Sequence, residues 1–528
     1  MFIWLNLIIL LDYSYFVRIY LAKPINKENA MLSSVNSYSN NGIDCQQIKV
    51  ETDIHNGLPG FTIVGLAQKA VEESKERIRS AIKNSGLHLP PKRITINLAP
   101  ADLPKNGTGF DLAMAIGILV SSGQLKDVNE AASFYGELGL DGSVRPVKAA
   151  LNVSYQAKLD DIKELYVANA NATLAALIEG VQVFPVTSLA QLVQHLLGER
   201  PITALSQTKL ESRPEEIKND MKDIQGQDQA KRAMEIAIAG NHNIILSGPP
   251  GSGKTMLARA AAELLPAPDF EEVIEISRLH SLVGQDYDNI YSSRPFRSPH
   301  HTSSDIALIG GGQSPRPGEI SLSHRGVLFL DEFAEFPRHV IESLRQPLEN
   351  GVITVSRAKA SMDFPAGFIL IAAQNPCPCG FYGDNLKNCS CSAQQLSRYQ
   401  NKLSGPLLDR IDLHVNVTRI DTTELLHRKA HETSATIKKR IKSARQIQKS
   451  RFMGSSFSTN NHMGTQEMDK CCKIDNETQN IASKVLSSLQ LSARGYGRVL
   501  KVSRTIADLE NSPEIKLHHF TEALQYRF

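Results

Sequence analysis

One short run constrains this chain more than any other: Gly248-Pro249-Pro250-Gly251-Ser252-Gly253-Lys254-Thr255, set between an apolar segment at 243–247 and a helical segment at 256–265. A glycine-rich turn joining a buried strand to a helix start lets backbone N–H groups close on phosphate oxygens. The helix N-terminus adds positive dipole at the same place. In this pattern residues Gly248, Pro249, Pro250, Gly251, Ser252 and Gly253 form the cradle, Lys254 reaches the β and γ phosphates, and Thr255 ligates Mg²⁺. The expectation is a parallel sheet with this loop at its carboxyl edge and ATP with Mg²⁺ bound there.

Two further apolar strands carry matching chemistry. Residues 326–330 run into Asp331-Glu332, and residues 368–373 run into Gln374-Asn375. Wholly apolar strands of this kind lie inside parallel sheets, whose ligands sit at the strands' carboxyl ends. Asp331 is expected to hold Mg²⁺, Glu332 to orient or deprotonate the attacking water, and Asn375 to hydrogen-bond the γ phosphate or that water. Taken singly, each strand end also fits a simple cap; after a phosphate loop, in this order, they read as hydrolytic machinery. Arg410, between apolar residues just before a strand at 413–417, has two readings. One is an intramolecular salt bridge, the other an arginine finger that enters a neighbouring subunit's site. Arg494 opens a later helix and is expected on the same phosphates, with Arg498 and Arg504 on that helix as alternatives.

At 528 residues the chain exceeds one core, and with 41% hydrophobic and 21% charged residues it is neither collagen-like, disordered nor a polytopic membrane protein. Lys plus Arg number 58 against 55 acids, so any grip on nucleic acid must come from a local basic surface. Residues 2–11 are apolar but span only half of the roughly 20 residues a bilayer needs. No basic residue precedes them, so residues 1–34 are taken as a leader with translation expected from Met31, and no membrane partner follows.

Residues 35–198 alternate strand and helix signals: strands at 48–54, 61–64 and 93–98, helices at 67–85 and 110–121. A polar linker is expected at 199–223, a second α/β domain at 224–425, and a helical region at 426–528. The last opens with a basic stretch, 434–452, whose Ile437, Ile441 and Ala444 share one face. A packed amphipathic helix explains that face better than a dedicated DNA contact.

With these residues in place a family resemblance can be stated. Phosphate loop, acidic strand end, Asn375, Arg410 and helical region in this order resemble AAA+ ATPases. Arg294-Pro-Phe-Arg-Ser-Pro-His300-His301 and the run from Gly318 to Gly326 resemble the magnesium-chelatase-related branch. The runs from Asn56 to Gly65 and from Ile94 to Pro104 resemble the ChlI-like domain of the ComM/YifB family, and the likeness extends from Val35 to the C-terminus. It implies an α/β multidomain chain: a Lon-protease-like (ribosomal S5 domain 2-like) but non-proteolytic N-terminal domain, an AAA+ P-loop core with a parallel sheet, and a C-terminal helical lid. It also implies a cytoplasmic homo-hexameric ATPase that moves single-stranded or branched DNA during recombination of transforming DNA, with ATP its one small-molecule substrate.

The rivals are an ATPase remodelling a protein partner, a magnesium-chelatase subunit and a Lon-like peptidase. Against the chelatase stands the lack of an Asp-x-Ser-x-Ser metal site. Against the peptidase stands the lack of any Ser at 101–120, where Thr108 is the one hydroxyl; Leu151 occupies the place nearest the Lon lysine, with Lys148 close by.

Cys377, Cys379, Cys389 and Cys391 form two Cys-x-Cys pairs in a polar loop. They suit one tetrahedral structural Zn²⁺, with reduced free thiols or a redox switch as the alternatives. For DNA, the segment between the acidic strand end and Asn375 is expected to fold as a hairpin, 351–356 with 361–370, carrying Arg357 and Lys359 at its tip. The glycines from Gly310 to Gly312 are expected in a second, mobile loop.

Overall fold

The computed structural model describes residues 32–105, 107–210, 217–284, 287–312, 315–357, 360–384, 386–419, 431–455, 457–475, 478–482 and 492–527. Residues 1–31 of the expected leader and the apolar positions expected on a helix at 485 and 489 lie outside these, while Ser33 and Ser34, placed in that leader, open the first strand of the fold. The chain divides into two compact units, Met1–Thr208 and Lys209–Phe528. No helix among the described residues is long and apolar enough to cross a membrane.

The first unit is built on a seven-stranded mixed sheet, in the order Gly60–Val64, Arg93–Ala99, Asp44–His55, Ser33–Asn41, Ala132–Tyr135, Glu164–Ala168, Gln182–Val186. Asp44–His55 shows the alternation that seats a strand on a core: Ile48, Val50, Thr52 and Ile54 are buried while their neighbours turn outward. It pairs antiparallel with Ser33–Asn41, Val50 opposite Val35. The helix Asp111–Ser121 is buried along nearly its whole length. Gly117 lets it approach the sheet, since a Cβ there would stand 2.5 Å from Thr52 Oγ1.

The helix expected over 67–85 is split into Lys69–Glu72 and Ser74–Asn84. The carbonyl of Ala70 accepts from Ser74 Oγ at 3.4 Å and from Arg77 Nη2 at 3.3 Å, side chains competing for the backbone acceptor at the break. The polar stretch after residue 200 starts as part of this unit. The Leu205 amide donates to Val183 O at 2.8 Å and the Thr208 amide to Ala176 O at 3.0 Å.

The second unit holds a five-stranded sheet, every pair parallel, in the order Phe296–Arg297, Val327–Leu330, Ile369–Gln374, Ile244–Ser247, Leu413–Asn416. Its inner strands are buried up to their last residues, Ser247 and Gln374 being partly open at the carboxyl edge, because helices cover both faces. The helix Asp228–Gly240 carries Ser434–Arg451 and Ala493–Leu509 against it, and Ile437, Ile441, Val499, Val502 and Ile506 belong to the same apolar cluster as the sheet. The basic helix therefore packs as its apolar face requires. Several of its charges have structural partners: Arg440 on Glu235 at 2.6 Å, Arg451 on Asp508 at 2.5 Å, and Arg445 on the Ile238 carbonyl at 2.6 Å.

Candidate nucleotide site and cysteine loop

The strand Ile244–Ser247 lies between Ile369–Gln374 and Leu413–Asn416, with Ser247 opposite both Gln374 and Asn416. The turns after three strands therefore open at one sheet edge. Gly248 is crowded by the Val417 carbonyl, where any Cβ would clash, and Gly251 and Gly253 hold φ of 78° and 87°. Those left-handed angles turn successive amides to one side, forming a concavity for an anion.

Lys254 starts the helix Lys254–Ala262 and is buried. Its Nζ donates to Gly248 O at 2.7 Å, Pro249 O at 3.0 Å and Asn375 Oδ1 at 3.4 Å. Burial holds its ammonium below the ordinary value, against the pull of Asp331. Thr255 Oγ1 donates to Asp331 Oδ2 at 2.9 Å, which brings the two expected Mg²⁺ ligands together. Ser252 Oγ is buried with no partner, an orphan donor in the cradle wall. Donor set, charge and shape thus fit a magnesium-bound polyphosphate.

Glu332 is half-exposed, with φ of 51°, and its carboxylate lies 2.9 Å from His301 Nδ1. That histidine contact was not evident from spacing. A neighbouring cavity of ≈ 200 Å³ was also missed; Gln227, Asp228, Asn416, Thr418 and Arg419 line it. Gln227 Nε2 donates to Thr418 O at 2.6 Å and lies 3.5 Å from Ser252 O, so the cavity adjoins the phosphate loop. No motif marked it, because its walls come from residues far apart in the chain.

Arg410 takes the intramolecular partner foreseen as one alternative: its guanidinium pairs with Glu349 and donates to Pro406 O. Its segment is anchored two residues on. Despite desolvation, the His242 and Arg498 contacts hold the fully buried Asp412 down to about 2. Of the three arginines on the helix Ala493–Leu509, Arg498 is spent on Asp412 at 2.9 Å, and Arg504 is buried on Asp508 at 3.0 Å. Arg494 stands exposed in the first turn, beside the Ser492 cap.

Cys377, Cys379, Cys389 and Cys391 converge, with one ligand atom from each within 4.8 Å of the others. The sulfur separations are 3.3 Å for 377–379, 3.5 Å for 379–389 and 3.7 Å for 377–389. Zn–S bonds of about 2.3 Å in a tetrahedron give S–S edges of about 3.8 Å, so the set fits one Zn²⁺. All four are free thiols. Amides of Phe381 and Ser390 hold the Cys379 thiol down to about 5, whereas Cys389, against the Cys391 amide that favours its thiolate, is pushed up to about 12 by desolvation and the neighbouring sulfurs. Among the described residues, Glu510, His518 and His519 make one other such cluster. There His519 Nδ1 accepts the Lys516 amide at 2.9 Å, which leaves the proton on the Nε2 that faces Glu510.

The strands Val352–Arg357 and Ala360–Pro365 form a hairpin, with Arg357 opposite Ala360. Its second strand stops at Pro365, short of the expected 370, because Ile369 and Leu370 pair inside the five-stranded parallel sheet instead. The Arg357 side chain and Lys359 lie outside the described residues. Gly310 pairs with Pro317 in a two-residue ladder, and a Cβ on it would stand 3.2 Å from Val355, so the glycine loop packs on the hairpin. In the first unit Leu151 is fully buried.

Sheet order and site define a magnesium-chelatase-type AAA+ chain. Family models agree: residues 220–425 match "Magnesium chelatase, subunit ChlI", 50–171 match "Subunit ChlI of Mg-chelatase", and 431–527 match "Magnesium chelatase, subunit ChlI C-terminal". The Competence protein ComM of Haemophilus influenzae is 43% identical over 502 residues, covering 94% of this chain and 97% of that protein. The uncharacterized protein YifB of Escherichia coli is 41% identical, with 94% and 97% covered. The magnesium-chelatase subunit ChlI of Porphyra purpurea is 24% identical over 38% of this chain and 58% of its own. The chain belongs to the ComM/YifB family of magnesium-chelatase-like proteins.

Proposed function

We propose that the chain is an ATP-hydrolysing motor that acts on single-stranded or branched DNA as a ring of six copies in the cytoplasm. The observation that carries the reading is the convergence of Lys254, Thr255, Asp331, Glu332 and Asn375 at one edge of the parallel sheet. Gly248, Pro249, Pro250, Gly251, Ser252 and Gly253 cradle the phosphates with their amides, and Lys254 leaves the loop carbonyls to hold the β and γ oxygens. Thr255 and Asp331 hold Mg²⁺, which when bound neutralises charge on the phosphates. Glu332, released from His301, orients the attacking water and takes its proton; Asn375 fixes that water or the γ phosphate. Arg410 enters the neighbouring copy's site and Arg494 contacts the same phosphates. The four cysteines hold a structural Zn²⁺. A near full-length relative named for competence supports DNA as the partner.

The hairpin between the Asp331 and Asn375 strand ends can move with nucleotide state yet touches no phosphate of ATP, so its tip, Arg357 with Lys359, is placed on the DNA backbone. Steady-state hydrolysis measured with a panel of duplex, single-stranded and branched DNA tests this. Branched or single-stranded DNA should stimulate the wild type, and Arg357→Ala with Lys359→Ala should lose the stimulation while keeping basal turnover. Hydrolysis indifferent to every DNA but accelerated by a protein partner or a porphyrin would overturn the DNA assignment.

A further inference from the structure

Among its described residues the stretch from Asn375 to Ser392 contains neither helix nor strand, and four thiols converge within it, a set that one bound metal ion would cross-link. Two residues beside those thiols reach the nucleotide site by separate routes. Gly380, directly after Cys379, holds φ of 84° and sits on the phosphate loop: a Cβ there would stand 2.7 Å from Pro250 Cδ and 3.9 Å from Asn375 Cγ. Phe381, the next residue, presents its ring to the Arg419 guanidinium at 5.1 Å and to Lys387 Nζ at 4.2 Å. Asp384 adds a second hold on the same arginine. Its side chain is only 4% exposed, and Oδ2 makes no hydrogen bond, so Arg419 Nε at 3.6 Å is the charge that balances it. Arg419 in turn lines the ≈ 200 Å³ cavity beside Gln227 and the phosphate loop.

The cysteine loop therefore touches both ends of one site, Pro250 at the phosphate cradle and Arg419 at the adjoining cavity. A planar guanidinium held at the wall of such a cavity suits a flat aromatic base. We infer that the four-cysteine loop is a working wall of the nucleotide site, in which bound Zn²⁺ fixes Phe381 and Asp384, these position Arg419 over the base, and nucleotide affinity follows metal occupancy. This rests on the nucleotide site proposed above and adds to it a residue that faces the base and a structural metal that controls it.

The test is equilibrium binding of a fluorescent ADP analogue to the full chain, zinc-loaded, stripped by chelator, and reloaded. Stripping should weaken binding by about tenfold, and reloading with Zn²⁺ should restore it. Phe381→Leu should weaken binding at full metal content, Phe381→Tyr should not, and in Arg419→Ala the dependence on metal should shrink. The Phe381 pair decides the matter if stripped protein aggregates, since an ordinary packing role is served as well by Leu. Equal affinity in loaded and stripped protein, a chain that takes up no zinc, or equal behaviour of Phe381→Leu and Phe381→Tyr would overturn the inference. Lys254→Ala separates it from its foundation: if that variant binds as tightly as wild type, it is the nucleotide site itself that falls.

Discussion

Lys254 and Glu332 sit on the same sheet edge but face the reaction differently, and their variants should separate binding from chemistry. The Lys254 ammonium, desolvated and held by loop carbonyls, is the buried cation available to the phosphates. Glu332 is half-exposed and carries no phosphate charge. Lys254→Ala should abolish tight nucleotide binding, whereas Glu332→Gln should bind normally and lose about 10² or more in turnover, the Gln keeping shape but no base. Equal ATP affinity in wild type and Lys254→Ala would sink the assignment. A second residue-level expectation concerns pH. Burial pushes His280 and His462 from 6.5 down to about 4, so each is neutral in the fold and protonated at mildly acid pH when unfolded. A depressed histidine pKa means the unfolded chain binds more protons below 6.5, so stability falls as pH drops from 6.5 towards 4. Asp412, held at about 2, keeps its contribution throughout that window and loses it only as pH falls from about 4 to about 2. Denaturant midpoints at pH 7, 6 and 5 should decline, and His280→Gln should flatten the decline; a flat profile in the wild type would contradict the burial.

Among the elements, the cysteine loop and the C-terminal helices carry the sharpest consequences. About one zinc per chain should be found by elemental analysis and be lost in Cys377→Ser with Cys379→Ser, because two of four tetrahedral ligands are gone. Metal-free protein of full stability and activity would leave reduced thiols as the correct account. Ile506, fully buried in the cluster shared by sheet and lid, should cost about 2–5 kcal/mol when cut to Ala, read as a lower urea midpoint. Elements such as these were legible wherever burial imposes a period. The strands ending at Leu330 and Gln374 and the Ile437, Ile441, Ala444 stripe follow from apolar spacing alone. Linear order also placed Lys254, Asp331 and Asn375 at one edge, since parallel strands put all their carboxyl ends together. What stayed hidden depends on side chains meeting through space. The break at Glu73 arises from Ser74 and Arg77 competing for the Ala70 carbonyl. The His301 contact to Glu332 joins two loops, and the cavity at Gln227 and Arg419 joins segments nearly two hundred residues apart. None of these leaves a periodic trace.

At the scale of the whole molecule the open matter is what Arg410 does in an assembly. Within one chain its guanidinium is engaged by Glu349 and the Pro406 carbonyl, while its Nε is buried without a partner. Its segment is pinned from two sides: Arg498, on the Ala493–Leu509 helix, grips Asp412, and Arg527 donates to the Ile411 carbonyl at 2.7 Å. A pinned segment with a half-exposed partner carboxylate allows the arginine to exchange Glu349 for a phosphate by turning its side chain, without moving the backbone. If Arg410 serves the neighbouring copy, Arg410→Ala should abolish hydrolysis while leaving nucleotide affinity and the folded state intact. Mixing it with Glu332→Gln should then restore part of the turnover, because some interfaces combine an intact Glu332 from one copy with an intact Arg410 from the other. Glu349→Gln, which removes only the intramolecular partner, should keep hydrolysis and the rescue. A purely internal salt bridge predicts the reverse pattern. Glu349→Gln and Arg410→Ala would then lower stability alike, mixing would rescue nothing, and failure to form any ATP-promoted oligomer would leave the arginine with no neighbouring site to enter.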